Sequence, residues 1–593
     1  MMTFNIPPFL FFLLGGLLLP LIPKRLRGGI FLIPPLLSLW IVFGLEQGTR
    51  VTLDFLHFEL IFLQVTNLNW IFGIIFSLIS VIAGVYALHI DDLRQQVAAS
   101  FYAAGALCVT FAGDFLVLYL GWEMMAVAST FLIWARGTTE AIATGMRYFL
   151  FHIFGGVLLL GGILLHVADT GSLELTSFAD GESLAAWLIL AGVAVNVAIP
   201  PLHAWLSESY PMATVTGAIF MSALTTKSAV YVLASLFAGW QILIFMGVLM
   251  ALYGVVYAVL ANDIRGILAY HIISQVGYMV AGVGIGTEMA VNGTTAHAFS
   301  HILYKALLFM GAGVVLHTTG KSKLTELGGI YNKQKLVFWL YMIGAFSISG
   351  FPLFNGFISK SIIVASAGYE SMDVAALLLI LASIGTFLHT GLKLPYWTWF
   401  GKESGITPDK TPANMIWAMG AAAFLCTFFG IFPGVLYSKL PYPEMVYNPF
   451  QIYHLIEMTQ LLIFTFIAFW IFRKKLDGEP YLAVDFEYFY RWAGKLVLII
   501  AHKPIAIIDG WWSEMYSRLG MSISRFSASV VAGRAEKGFD NTVHNRLPAG
   551  IYSGGNFLIK FLRADNRDMS SSILYLLAIT IVFIILALIR IMA

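Results

Sequence analysis

Residues 296–309 read AHAFSHILYKALLF. His297, His301 and Lys305 recur every four residues in an otherwise apolar run. Steps of four drift only about 40° around an α-helix and rise about 6 Å, so the three side chains share one face. A charge at mid-bilayer costs from about 2.5 to more than about 10 kcal/mol. Three proton-binding groups on one face of an apolar helix therefore point to ion movement. The rise is too long for direct hydrogen bonds between backbone-fixed groups, and short enough for one water or a long side chain to bridge. The pattern reads as part of a proton wire.

Composition places that helix in a membrane. Of 593 residues, 59% are hydrophobic and 11% charged, against about 25% charged in an average soluble domain. The net charge of +2 gives no basic surface for nucleic acid. Cys108 and Cys426 both lie in apolar runs, form no metal spacing and give no disulfide framework. No metal-ligand spacing, nucleotide fingerprint or nucleophile elbow is present, so no cofactor is expected; GVGIG at 282–286 reads as a glycine-rich helix end. The first residues, MMTFNIPPFLFFLLGG, lack a basic leader and read as a first span rather than a cleaved signal.

Apolar runs of about 20 residues predict an all-α polytopic membrane protein with about 16 spans. They lie near 4–22, 29–45, 68–90, 97–112, 114–134, 141–166, 184–206, 213–238, 240–261, 263–286, 293–317, 336–368, 374–400, 412–436, 454–473 and 571–592. The long run 336–368 contains Gly350, Pro352 and Gly356, which predict a broken helix; Pro200-Pro201 predicts a second irregularity. Segment 46–67 alternates and predicts a short external hairpin. The expected organisation is N-terminal spans and hairpin at 1–67, a translocating core at 68–440 and a further span at 441–475. An amphipathic lateral segment at 476–570 and an anchoring span at 571–593 follow.

Loops after odd-numbered spans carry Lys24, Arg25, Arg27, Arg94, Arg136, Lys321, Lys323, Lys333, Lys335, Lys402, Lys410 and Arg473. Those after even-numbered spans carry few cations and several acids, among them Asp169, Glu174 and Asp180. The positive-inside rule makes the odd loops cytoplasmic and turns the N-terminus outward.

Other ionisable residues sit inside spans. Glu123 has no charged neighbour within eight residues on either side, and Lys227 lies near mid-span, away from the ends where a lysine snorkels. Lys360 follows the predicted break, where a half-helix terminus offers a wet, dipole-influenced site. The plain alternatives are a neutralised carboxyl for Glu123 and structural pairing for the lysines. His271 has the equally plain alternative of a hydrogen-bonded core histidine. His389 and Lys393 lie nearer a span end, where snorkelling is expected, and His152 and His166 read as packing residues. Desolvation favours a neutral lysine and a nearby carboxylate favours the charged form, so a buried lysine facing Glu123 could switch protonation when its partner moves.

Six stretches together resemble a known family: LGWEMM (120–125), PPLHAWL (200–206), DIRGILAYHIISQVGYM (263–279), AHAFSHILYKALLFMGAG (296–313), LGGIY (327–331) and SGFPLFNGFISK (349–360). They resemble the antiporter-like membrane subunits of respiratory complex I, Mrp sodium/proton antiporters and membrane-bound hydrogenases, and look most like the D-type subunit of Mrp antiporters. The resemblance implies two inverted five-helix repeats with broken helices around a polar axis for protons. By position it assigns Glu123 to a carboxylate that pairs with a lysine, Lys227 to the lysine after PLHxWL, and His297, His301 and Lys305 to the connecting line. Lys360 matches the terminal lysine, and VDFEYFYR (484–491) the start of a lateral helix.

Two departures stand out. The family usually has a lysine seven residues before the histidine of PLHxWL, and this chain has Asn196; it also has Arg265 where a lysine is common. An amide carries no charge and an arginine does not release its proton. Glu123 must therefore pair elsewhere, stay protonated or bind a cation.

The expected function is proton translocation, coupled to Na+, within a multi-subunit cation/proton antiporter in the cell inner membrane. The expected partners are other membrane subunits, lipid, protons and sodium. The alternative is the proton-pumping arm of a redox complex, hydrogenase-like or NADH-quinone oxidoreductase-like, or of an energy-coupled CO2 hydration complex. Redox cofactors would then belong to partner subunits.

Overall fold

In the computed structural model, residues 5–181, 183–476 and 485–535 are described, and nearly all of them are helical or connect helices. Eleven helices among them are long and apolar enough to cross a membrane. Shorter apolar helices cover Phe9–Leu21, Leu184–Val197 and Lys335–Ser349. The chain divides into two compact units, one ending at Phe486 and one beginning at Glu487.

Local chemistry explains where helices begin and end. Thr66 and Asn69 form a reciprocal capping box at the start of Asn67–Tyr86. The Asp114 carboxylate accepts from Leu116 N and Val117 N, both at 2.8 Å, and Asp263 accepts from Arg265 N and Gly266 N. These acceptors satisfy amides that a helix start leaves unpaired. Gly171, Gly286 and Gly320 end three long helices in the left-handed conformation. The 282–286 glycine run is thus a helix end, as its composition predicts.

The centre of the first unit is formed by Ile264–Ile285 and Glu288–Thr319, whose apolar windows are 94% buried, against 22% for Ile452–Phe472. Backbones there approach closely. A Cβ on Gly247 would lie 2.3 Å from Ala281 N, so Gln241–Leu260 packs on Ile264–Ile285 only because this residue has no side chain.

Both predicted breaks exist. One helix stops at Val197, Ala198 turns left-handed, the Pro200–Pro201 peptide is cis, and helix resumes at Ala204. The other stops at Ser349, passes through Gly350 and Leu353 at positive φ, and resumes at Asn355.

A third interruption has no glycine or proline to announce it. The expected span 213–238 is split into Gly217–Ala223 and Thr225–Leu236 at Leu224. Tyr102 stabilises the split: its hydroxyl accepts from Thr225 N at 3.0 Å and lies 2.5 Å from Thr225 Oγ1. The expected span 374–400 likewise passes from α-helix into π-helical turns at Phe387–Lys393 and Tyr396–Phe400.

The predicted hairpin is present as β1 (Arg50–Phe55) and β2 (Phe58–Gln64), antiparallel, with a bulge at Val51/Thr52. Phe486–Ala535, which forms the described part of the second unit from Glu487 onward, is one helix of 50 residues, about 75 Å long at 1.5 Å per residue. The expected last span, 571–592, lies outside the described residues.

Candidate proton pathway

The helix Glu288–Thr319 places His297, His301 and Lys305 on one face, and all three are fully buried. The two imidazole rings are 6.2 Å apart. His297 Nδ1 lies 3.1 Å from Ser359 Oγ, a hydroxyl on the helix that follows the second break. Both ring nitrogens of His301 and the Lys305 amine have no hydrogen-bond partner among the described residues. Lys305 Nζ sits 6.0 Å above the Phe309 ring. Buried polar atoms without a protein partner are the atoms that water bridges.

Lysines stand at two of the helix interruptions, in the same relation to each. Lys227 Nζ donates to Ser222 O at 2.5 Å, a carbonyl near the C-terminal end of Gly217–Ala223. Lys360 Nζ donates to Ile348 O at 2.9 Å, near the C-terminal end of Lys335–Ser349, and to Ser383 Oγ at 3.2 Å. Each break frees carbonyls and leaves the negative end of a half-helix inside the protein. Each lysine supplies the donor and the positive charge that such an end favours.

Geometry joins His297 to Lys360: the Tyr278 ring lies 5.9 Å from the His297 ring and 5.1 Å from Lys360 Nζ. His271, fully buried on Ile264–Ile285, has its ring 5.7 Å from that of His389. Lys393 continues the line. Snorkelling was the expectation for it, yet it is 3% exposed, and its amine donates to Val259 O at 2.6 Å.

Glu123 stands on Phe115–Trp134, one helical turn after Tyr119. Its Oε1 is buried and accepts no hydrogen bond among the described residues. The carboxylate lies against Gly156, where an added Cβ would be 2.0 Å from Oε1. One helical turn away, His152 Nδ1 is 2.8 Å from Asn196 Oδ1. An amide oxygen only accepts, so Nδ1 carries the ring proton there.

A family profile described as NADH:quinone oxidoreductase/Mrp antiporter, TM, matches residues 112–388, which hold Glu123, Lys227, the histidine–lysine face and Lys360. An uncharacterised protein of Methanocaldococcus jannaschii is 30% identical, the match covering 57% of this chain and 74% of the relative. The D-type subunit of the Na(+)/H(+) antiporter of Alkalihalophilus pseudofirmus is 31% identical, the match covering 51% of this chain and 65% of the relative. The chain therefore spans slightly under two thirds of that second relative.

Among solved structures, a chain of the Mrp complex from Dietzia sp. superposes with a TM-score of 0.66 at 20% identity, over 77% of this chain and 98% of that one. A chain of the membrane-bound sulfane sulfur reductase, an archaeal respiratory membrane complex, gives 0.67 at 21% identity with the same coverage. These two likenesses concern the fold.

The chain belongs to the NADH:quinone oxidoreductase/Mrp antiporter membrane-subunit family.

Within this antiporter-type family, the two departures have physical counterparts. Asn196 is 1% exposed and occupied by His152, a residue that reads from sequence as packing. Arg265, 1% exposed, donates to Tyr210 O at 2.8 Å and to Pro211 O and Ala213 O at 3.1 Å. It therefore caps the end of Ala204–Met212, a fixed positive charge on freed carbonyls.

One buried carboxylate is not singled out by motif reading. Asp485, 2% exposed, closes the first unit of this antiporter-type chain and contacts His203 of the PPLHAWL stretch as well as Tyr253 and Tyr270. Only the conspicuous VDFEYFYR run hints at it. The partners are more than 200 residues away in sequence, so no local pattern exposes the contact.

Proposed function

We propose that this chain is a proton-translocating subunit of a multi-subunit cation/proton antiporter, with sodium as the coupling cation. The observation that carries the reading is the set of buried ionisable groups, with Lys305, His301 and His297 on one helix face and Lys227 and Lys360 anchored on half-helix carbonyls at two breaks. Glu123 and the residues around it form a separate carboxylate site, with His152–Asn196 in place of a lysine. His271, His389 and Lys393 extend the line toward Val259 O. Arg265 acts by placing charge, since arginine keeps its proton.

Protons move by transfer between neighbouring nitrogens through bridging water, one N–H bond breaking as the next forms. The lysines gate the line, because their charged and neutral forms respond oppositely to burial and to the half-helix field. In the proposed orientation the N-terminus faces outward from the cell inner membrane, and the lysine- and arginine-rich loops face the cytoplasm. The 50-residue helix lies in the membrane interface, with its apolar positions toward lipid or neighbouring subunits.

The test is cation-dependent collapse of a pH gradient in inverted membrane vesicles, with the chain expressed beside its neighbouring genes and alone. Collapse driven by sodium, with the full set only, supports the antiporter. Failure of both sodium and potassium to drive it would overturn the reading. The likeness to the sulfane sulfur reductase membrane chain favours, as second reading, the proton-pumping arm of a redox complex. Purification with its partners would then recover a cofactor-bearing subunit.

A further inference from the structure

The Lys360 end of the line does not stop at the lysine. A cavity of about 370 Å³ lies between the helices Asn355–Tyr369 and Ile452–Phe472, with Lys360 and Ser361 on one wall and Tyr447, His454 and Glu457 on the other. Its volume accommodates several waters at about 30 Å³ each. The two sides differ in exposure. Lys360 is 4% exposed, whereas the His454 and Glu457 side chains are 18% and 31% exposed. The cavity thus runs from a buried amine to a half-open titratable pair.

That pair is built. His454 Nδ1 lies 3.5 Å from Glu457 Oε2, one turn along the helix. The His454 ring stacks on Phe357 at 4.9 Å, which holds the imidazole in place. Tyr447 and Ser361 both line the cavity, adding two hydroxyls to it. Glu457 and His454 stand in a helix that is mostly apolar, and packing alone gives no reason for them there.

We propose that this cavity is the aqueous mouth through which Lys360 exchanges protons with the outer compartment, and that Glu457 and His454 relay them. The inference rests on the translocation reading above and on its orientation, in which residues 369–373 and 437–451 face outward. In the inward direction, a hydronium ion gives its proton to the Glu457 carboxylate or the His454 imidazole. That group passes a proton through cavity water to the Lys360 amine, each O–H or N–H bond breaking as the next forms. The outward direction is the reverse, and no other reactant is consumed.

The test separates the mouth from transport. Ser361→Cys and Gln451→Cys are introduced into the full chain, expressed with its neighbouring genes, whose own Cys108 and Cys426 are buried. Sealed right-side-out and inverted vesicles are treated with a membrane-impermeant charged maleimide. Labelling of both cysteines from the outer face, with the parent chain unlabelled, is expected whether or not the vesicles transport sodium. Labelling only by a membrane-permeant reagent would mean that lipid chains fill the cavity, and would overturn the proposal. So would labelling from the cytoplasmic face alone.

The relay has its own readout. Glu457→Gln is expected to slow proton flux on the order of tenfold or more and to alter its pH profile, with Glu457→Asp restoring much of both. An unchanged rate and profile in Glu457→Gln would overturn the relay.

Discussion

The Asp485 carboxylate lies 3.2 Å from His203 Nε2, although 282 residues separate the two in sequence. Tyr270 donates to the other carboxylate oxygen at 2.6 Å, and the Tyr253 hydroxyl donates to the first. Phe486, the first residue of the 50-residue helix, packs its ring 6.0 Å from the His203 ring. His203 itself ends the first break, so the carboxylate sits against an irregular piece of the first unit's core.

Burial by itself would raise the Asp485 carboxyl, but hydrogen bonding and charge from His203, with the Tyr253 and Tyr270 hydroxyls, outweigh it and hold the group at about 2. The folded value lies below the unfolded one of about 3.9. The stabilisation from ionised Asp485 is therefore complete above about pH 4 and is lost as pH falls through about 2. Asp485→Asn is expected to lower stability by about 1–3 kcal/mol at neutral pH, read as a fall in melting temperature of the detergent-purified protein. An unchanged melting temperature would show that the contact is inert.

Gly156→Ala tests the carboxylate site without touching a titratable group. The new methyl would stand 2.0 Å from Glu123 Oε1, so the carboxylate must move. Cation-dependent flux in vesicles is expected to fall, and the fall should be absent when Glu123 is already replaced by Gln. Additive losses in the double variant would place the effect in packing.

Asn196→Lys restores a cation where the family usually has one. It also removes the amide oxygen that accepts from His152 Nδ1 at 2.8 Å and sets an amine beside a buried imidazole. The pH dependence of flux should shift relative to the parent. A superimposable profile would make Asn196 and His152 silent in transport.

Lys305→Ala and Lys305→Arg are both expected to abolish flux while the chain still inserts and assembles. Alanine removes the carrier, and arginine keeps its proton. Parent-level flux in either variant, measured on vesicles matched for protein content, would remove Lys305 from the line.

Much of this architecture was open to reading because membrane physics writes it into local sequence. Apolar runs near 20 residues mark spans, glycine and proline mark the breaks at 198–203 and 350–354, and a four-residue step puts His297, His301 and Lys305 on one face. Lys360 after a break was legible for the same reason. The interruption at Leu224 was not, because the Tyr102 hydroxyl that satisfies Thr225 N comes from 123 residues away. Lys393 read as snorkelling because its distance to a span end is a local quantity, whereas its burial against Val259 O is not.

The sequence alone determined the membrane class, the approximate spans, two of the helix breaks and the positions of most ionisable residues inside spans. Each of these follows from composition and spacing within a single helix. The tertiary structure decided which groups meet. It set Lys227 on Ser222 O, His152 on Asn196, Asp485 on His203, and Lys360 beside the cavity that Glu457 and His454 border. Hydrogen bonds and cavities depend on positions a few ångströms apart in space, and packing between helices brings together residues that chain order keeps far apart.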